Sequence, residues 1–380
     1  MNRDLHPARR VSFAELAAAL ELRVRSGAVA RVRKGALSLY VYTNRCVYDA
    51  MWDDVSVLAR GLVLDHEAAV VRATPFPKFF NFGERGAGPD AASLPNEPFE
   101  AYEKLDGSLA ILFFDGEGWR VVTKGAFDSA QAAWAAAWLR PRALHALDRD
   151  STYLFEALYP ENRIVVRYDR AELVLLGAYS GAGVELSRAE LAGVATQLGC
   201  ALVTAHNVAT IHELVALTAE LDRNREGFVI RYASGLRLKL KGAAYRRIHA
   251  MLSDVTPLGL WRALEANDDL EAFRREIPEE FWADFDCIRG LLNARLAAIQ
   301  AEVDAAFLAH RGVSDADLGR SLDRLTPTVR PFLFARRKRG ENYVADPSLR
   351  RTLYRLIRPD GNVLAGYAPS THLLGARDDG

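Results

Sequence analysis

Apolar and polar positions alternate in two different ways along this chain, strand-like first and helical later. Residues 12–24, opening Ser12-Phe13-Ala14-Glu15-Leu16, have the spacing of a short amphipathic helix. From about 28 to 123, short runs at 36–42, 61–64, 70–72, 109–114 and 119–123 read as strands. Asp115-Gly116-Glu117-Gly118 supplies a hairpin turn between the last two. Residues 128–147, rich in Ala and Trp, predict a helix with Asp128 or Ser129 as its N-cap. Strands are expected again at 153–157, 163–167 and 173–178. Two capping boxes follow, Ser187-Arg188-Ala189-Glu190 and Thr210-Ile211-His212-Glu213. A strand pair at 227–232 and 236–241 then turns through Ala233-Ser234-Gly235. Beyond about 250 no alternation persists, and 284–308 and 315–325 read as helices. The pattern predicts an α+β body to about 250 and a helical C-terminal domain over 251–380, without internal repeats.

Composition narrows this little. The 380 residues, half of them hydrophobic and 26% charged, suit two globular domains. A formal net charge of zero means that a polyanionic partner must be held by local patches. Cys46, Cys200 and Cys287 are too scattered for a disulfide framework or a paired-cysteine metal site. With no apolar leader after Met1-Asn2-Arg3-Asp4 and no run of about 18 apolar residues, a cytoplasmic protein without membrane contact is expected.

The basic residues are more telling, since only seven of the 49 are lysines: Lys34, Lys78, Lys104, Lys124, Lys239, Lys241 and Lys338. In so Arg-biased a chain a retained lysine invites a role that a guanidinium cannot fill, above all nucleophilic attack. The alternative is chance survival in an Arg-rich composition.

Period-two alternation puts Arg237, Lys239 and Lys241 on one face of their strand and Leu236, Leu238 and Leu240 on the other. Three cations in a row repel one another unless an anion lies over them; the plainer reading is an edge strand guarded by lysine. From Phe228 to Ser253 there are six Lys or Arg and no acidic residue. Glu226, just upstream, could hold a divalent metal or simply pair with a cation. Glu156 sits inside the apolar run Tyr153-Leu154-Phe155-Glu156-Ala157, where a carboxylate needs a hydroxyl or basic partner. Phe76-Pro77-Lys78-Phe79-Phe80-Asn81-Phe82 surrounds a lysine with rings that could stack on a base or pack a core. Arg336-Arg337-Lys338-Arg339 could touch phosphates or be a solvated cluster.

In order, Lys104-Leu105-Asp106-Gly107, Phe155-Glu156, Glu226-Gly227 and Lys239-Leu240-Lys241 resemble the motifs of the covalent nucleotidyltransferases, the superfamily of nucleic-acid ligases and capping enzymes. The stretch from Trp52-Asp53-Asp54 to Arg60-Gly61, together with Lys78-Phe79-Phe80-Asn81, is most similar to the T4 phage RNA ligase 1 family. The resemblance covers roughly 35–250 and implies a nucleotidyltransferase (ATP-grasp-like) fold with antiparallel sheets around the nucleotide. It divides the body into an N-terminal module of about 1–98 and a motif-bearing core of about 99–250. It implies ATP and Mg²⁺ or Mn²⁺ as cofactors, and RNA bearing 5′-phosphate and 3′-hydroxyl ends as partner. No obligate protein partner is implied.

The resemblance makes Lys104 the nucleophile that takes AMP, with Lys239 and Lys241 on the α-phosphate and Tyr245 needed for activity. Arg60 and Lys78 would hold the β- and γ-phosphates, Tyr42 would line the nucleotide site, and Glu156 would bind the ribose. Phe80, Glu103, Gly107 and Lys124 would complete the cofactor site. Glu226, and Asp269 from the C-terminal region, would serve as metal ligands. Nearby Lys239, Lys241 and the metal are expected to lower the pKa of Lys104. Leu105 departs from the phage pattern, which has an acid there. A capping enzyme or DNA ligase is the alternative, disfavoured by a helical rather than β-rich C-terminal domain; a silent RNA-binding protein on the same scaffold is another.

Overall fold

A computed structural model describes residues 5–82 and 94–369; Met1-Asn2-Arg3-Asp4 lies outside them. The chain forms two compact units that divide between Arg246 and Arg247, inside the helix Ala243–Asp254.

The first unit contains three sheets. One is a four-stranded antiparallel meander of Val29–Lys34, Leu37–Tyr42, Arg60–Asp65 and Val70–Ala73. Its two central strands are apolar on consecutive positions because both faces are covered. Tyr40, Leu62 and Leu64 pack under Leu16 and Leu20 of the helix Phe13–Ser26, whereas Leu39 and Val63 pack against Leu109, Ile111 and Phe113 of the next sheet. That second sheet runs Ala201–Leu202, Glu172–Tyr179, Thr152–Leu158, Ser108–Phe114 and Trp119–Thr123. The helices Ala130–Leu139 and Arg188–Leu198 cover its other face through Ala135, Leu139, Leu191 and Leu198.

The third sheet positions the candidate chemistry. Its order is Ala205–His206, Phe99–Lys104, Gly227–Tyr232, Arg237–Lys241 and Phe80–Asn81, all antiparallel except the last pair. Leu238, Leu240, Phe228 and Ile230 bury one side with Leu214 of the helix Ile211–Ala219. Register places Gly227 opposite Lys104 on one neighbour and opposite Lys241 on the other, so two lysines flank one glycine across three strands.

Several elements differ from the sequence expectation. The run 163–167 is no strand: Val165 and Val166 donate their amides to Asp106 Oδ2, each at 2.8 Å, instead of to a ladder. The helix expected over 128–147 is shorter, Ala130–Leu139, since Pro141 cannot continue it; Ser129 caps it and Asp128 pairs with Lys34. The strand Phe99–Lys104 went unread because Glu100 and Glu103 make its six residues look polar.

The second unit is helical, with Pro257–Ala266, Leu270–Glu276, the 28-residue Trp282–Ala309, Asp315–Arg320, Arg330–Arg339 and Pro347–Leu356. Phe285, Ile288, Leu292, Phe332 and Leu333 are buried in it. The helix expected over 315–325 stops at Arg320 and gives way to a 3₁₀ turn at Leu322–Arg324. Among the described residues, no helix is long and apolar enough to cross a membrane.

Gly227 is where the third sheet is least tolerant. Its φ is +147°, and a Cβ there would lie 1.8 Å from Leu240 O, a backbone atom that cannot step aside without breaking the ladder. Gly227→Ala is expected to destabilise the protein by at least about 2 kcal/mol. A chemical-denaturation midpoint unchanged from that of the parent protein would contradict this.

Candidate functional site

Lys104 ends its strand, and the chain turns through Leu105-Asp106-Gly107 into the adjoining sheet. Gly107 fits because a Cβ would stand 2.5 Å from Ala157 O. Its amide donates to Glu156 Oε1 at 3.1 Å, so the carboxylate expected to need a hydroxyl or a base is met by a backbone N–H. Asn162 secures the same turn, accepting from the Ser108 hydroxyl and donating to Ala157 O, both at 3.0 Å.

Glu226 stands between two lysines. Its Oε2 lies 2.6 Å from Lys104 Nζ and its Oε1 3.0 Å from Lys241 Nζ, with the Glu226 side chain 2% exposed. Burial alone would push the Glu226 carboxyl up, but Lys104 and Lys241 hold it below its ordinary value. Burial likewise penalises the Lys104 ammonium, yet Glu226, Glu156 and Asp106 outweigh that cost and hold its pKa above that of an ordinary lysine. This corrects the expectation of a lowered Lys104: without phosphate present, the nearest charge is an anion. The depressed group is Lys239, brought to about 6 by burial and by Lys78, Lys241 and Lys104.

Asp106 is the residue that the candidate set omitted, although it lies inside the Lys104 motif. It is buried, and it accepts from Val165 N, Val166 N and, at 2.7 Å, from the Tyr245 hydroxyl. Its own amide donates to the Tyr168 hydroxyl at 2.9 Å. Burial and Glu226 raise the Asp106 carboxyl to about 6 against these hydrogen bonds. Tyr245 also lays its ring 5.2 Å from Lys241 Nζ and so touches two parts of the site.

A second group flanks the first. Lys78 Nζ is surrounded by the rings of Tyr42, Trp52 and Phe80 at 5.4, 5.4 and 5.6 Å. Lys124 Nζ lies 5.6 Å from Tyr42, on that ring too. Arg60 rests over Phe79 at 5.5 Å, and its Nη1 is buried with no hydrogen-bond partner among the described residues. The sheet pairing of Lys239 with Asn81 joins the two groups.

Three expected residues do other work. Glu103 adjoins Lys104 on one strand, so alternation points its side chain to the opposite face, 3.9 Å from Arg225. Asp269 belongs to the second unit, where it caps the helix Leu270–Glu276 by accepting from Ala272 N at 2.9 Å. Arg237, expected beside Lys239 facing a phosphate, is buried in an ion pair with Glu185. The basic run 336–339 is also largely engaged: Arg336 pairs with Asp304, Arg337 with Asp315 and Arg339 with Asp346. Among the described residues, no three His, Cys, Asp or Glu side chains gather as a metal cage.

Residues 58–245 match the family described as RNA ligase, of the T4 RNA ligase 1 type. That segment, just under half of the chain, carries the sequence pattern of this RNA ligase family. It is 27% identical over 187 residues to the RNA ligase of Rhodothermus phage RM378, covering 39% of this chain and 42% of that protein. It is 28% identical over 201 residues to a putative RNA ligase of Thermovibrio ammonificans, covering 50% and 52%. It is also 28% identical over 222 residues to a putative bifunctional polynucleotide kinase/RNA ligase of Autographa californica nuclear polyhedrosis virus, covering 51% and 31%. The matches thus span about half or less of these relatives' lengths. Among solved structures, an archaeal ATP-dependent RNA ligase is similar at a TM-score of 0.49 and 16% identity, covering 75% of this chain and 83% of that one.

The depressed lysine of this site makes a checkable demand. With its pKa near 6, Lys239 is neutral at pH 8; an anion placed beside it favours the ammonium and draws in a proton. Pyrophosphate titrated calorimetrically at pH 8, in buffers of different ionisation enthalpy, is expected to bind with net proton uptake. That uptake fades below pH 6, where Lys239 is already charged, and is reduced in Lys239→Arg, which stays charged throughout. Equal uptake in the variant would contradict the assignment.

Proposed function

We propose that the protein is an ATP-dependent RNA ligase that joins a 5′-phosphate to a 3′-hydroxyl through a lysyl-AMP intermediate. The observation that carries this reading is the excess of cations at one place. Lys78, Lys104 and Lys241 all bear on Lys239 and depress it, and Glu226 is in ion-pair contact with Lys104 and Lys241. Such a set is self-repelling without an anion, and it stands at the strand end that offers a lysine nucleophile. The buried, unpartnered Nη1 of Arg60 also calls for an acceptor such as a phosphate oxygen.

In this reading neutral Lys104 Nζ attacks the α-phosphorus of ATP. The P–N bond forms as the bond to the bridging oxygen of pyrophosphate breaks, and the Nζ proton is lost to solvent. Lys239 and Lys241 bind the α-phosphate and stabilise the charge building on it. Arg60 and Lys78 hold the outer phosphates, with Lys78 fixed by Tyr42, Trp52 and Phe80. Gly107 lets the turn sit close, Glu156 faces the ribose, and Lys124 completes the cationic rim. Tyr245 is a positioning residue, holding Asp106 while its ring lies against Lys241.

Glu226 keeps Lys104 charged at rest, so Lys104 can lose its proton only when that carboxylate is otherwise engaged. Glu226, together with substrate phosphates, would hold Mg²⁺ or Mn²⁺, which would supply positive charge there; one or two carboxylates plus substrate phosphates commonly bind Mg²⁺. AMP then passes to the RNA 5′-phosphate, and an RNA 3′-hydroxyl displaces it to seal the strand. In this scheme residues up to about 250 form the adenylyltransferase domain, and the helical remainder serves the RNA substrate.

Purified protein incubated with α-labelled ATP and Mg²⁺ is expected to carry label through a denaturing gel. Lys104→Ala and Lys104→Arg should each lose it by more than about a thousandfold, although arginine keeps the charge. Label retained in Lys104→Arg would sink the nucleophile assignment, and label taken from GTP but not ATP would point to capping chemistry.

A further inference from the structure

A second anion-seeking place lies away from the lysines, at the far end of the strand Ser108–Phe114 that begins next to Gly107. Six residues of extended strand separate the two ends by about 20 Å. Here a cavity of about 410 Å³ opens between Arg9, Arg72, Phe114, Asp148, Arg149 and Asp150, within the size range of small-ligand pockets. Not all of these groups are available. Arg72 spends Nε and one Nη on Asp65, at 3.0 and 2.8 Å. Asp148 accepts from the Ser151 hydroxyl at 2.5 Å and from Asp150 N at 3.2 Å.

Two guanidiniums remain. Arg9 makes no ion pair or hydrogen bond through its side chain among the described residues, and its Nε is buried without a partner. Its stem lies across Gly183, where an added Cβ would stand 2.5 Å from Arg9 Cγ, so the glycine makes room for it. Arg149 rests over the Phe114 ring at 4.8 Å and likewise makes no hydrogen bond or ion pair among the described residues. Asp150 is the remaining carboxylate without a hydrogen bond to its side chain among the described residues, and its charge acts on Arg9. The open groups are therefore two donor forks and one acceptor, a set complementary to a phosphate beside a hydroxyl.

We infer that this cavity binds a ribonucleotide unit of the RNA strand: Arg9 and Arg149 take the phosphate, and Asp150 accepts from a ribose hydroxyl. The inference rests on the RNA ligase reading for its ligand but uses none of the residues assigned to adenylation. It predicts that longer RNA is gripped at two places, at the lysine site and about 20 Å away along this strand.

The test is binding of a fluorescein-labelled single-stranded RNA oligonucleotide, followed by anisotropy across a salt series, to the parent protein, Arg9→Ala/Arg149→Ala, and the single exposed-side-chain variant Arg149→Glu. Both variants are expected to bind about tenfold more weakly, and loss of this one phosphate contact should lower the slope of log K against log salt by about 0.7. Labelling of Lys104 by ATP, and AMP transfer to adenosine 3′,5′-bisphosphate, which is too short to reach the cavity, should stay at parent levels. Arg9→Lys/Arg149→Lys should restore most of the slope, since the charge returns. Unchanged RNA affinity in Arg149→Glu would overturn the inference, as would a parallel fall in Lys104 labelling. Equal competition by inorganic phosphate at matched ionic strength would overturn it too, reducing the cavity to a free-anion site. A parent protein that binds RNA through Arg149 yet takes no label would instead defeat the ligase reading and leave this one standing.

Discussion

The buried carboxylate of Glu226, shared between Lys104 and Lys241, is the interaction around which the first unit is arranged. An ammonium so little exposed as Lys104 is costly to bury unless paired, and a single carboxylate does this for two lysines at once. The pairing requires three strands in strict register, with the one at the centre passing close enough that only glycine fits at 227. Lys239, on the same strand as Lys241, is burdened by burial and by Lys78, Lys241 and Lys104 more than Glu226 relieves it, and its pKa falls to about 6.

Around this pairing the structure keeps the nucleophile's turn rigid. Asp106 gathers two backbone amides and the Tyr245 hydroxyl, replacing a ladder that residues 163–167 would otherwise make. A buried acid so heavily hydrogen-bonded ties two distant segments, residues 165–168 and the helix bearing Tyr245, to the turn after Lys104. The rings of Tyr42, Trp52 and Phe80 do a comparable job by other means, setting π faces around the Lys78 cation.

Much of the fold was legible from local pattern. The capping box at Ser187, the turn at Asp115-Gly116-Glu117-Gly118 and the pair Gly227–Tyr232 with Arg237–Lys241 are all local and all present. The strand Phe99–Lys104 was not legible, because its neighbours Gly227–Tyr232 and Ala205–His206 come a hundred or so residues later and alone make its polar positions tolerable. Asp106 was in plain view within the Lys104 motif, but its importance depends on Val165, Val166 and Tyr245, which no spacing rule connects to it.

The sequence by itself determined the residue types, their order and the motifs they form: a rare lysine before Asp-Gly, a lone acid before Gly227, and Lys-Leu-Lys on a strand with one apolar face. Those features depend on side-chain chemistry and on period-two alternation, both local. Only the tertiary structure decided which charges meet. It withdrew Arg237 into a pair with Glu185 and turned Glu103 to the opposite face. It gave Asp269 to a helix end and held Lys104 charged while discharging Lys239. The reason is that Coulomb energy and desolvation follow distance and burial, which register and packing set and which linear spacing leaves open.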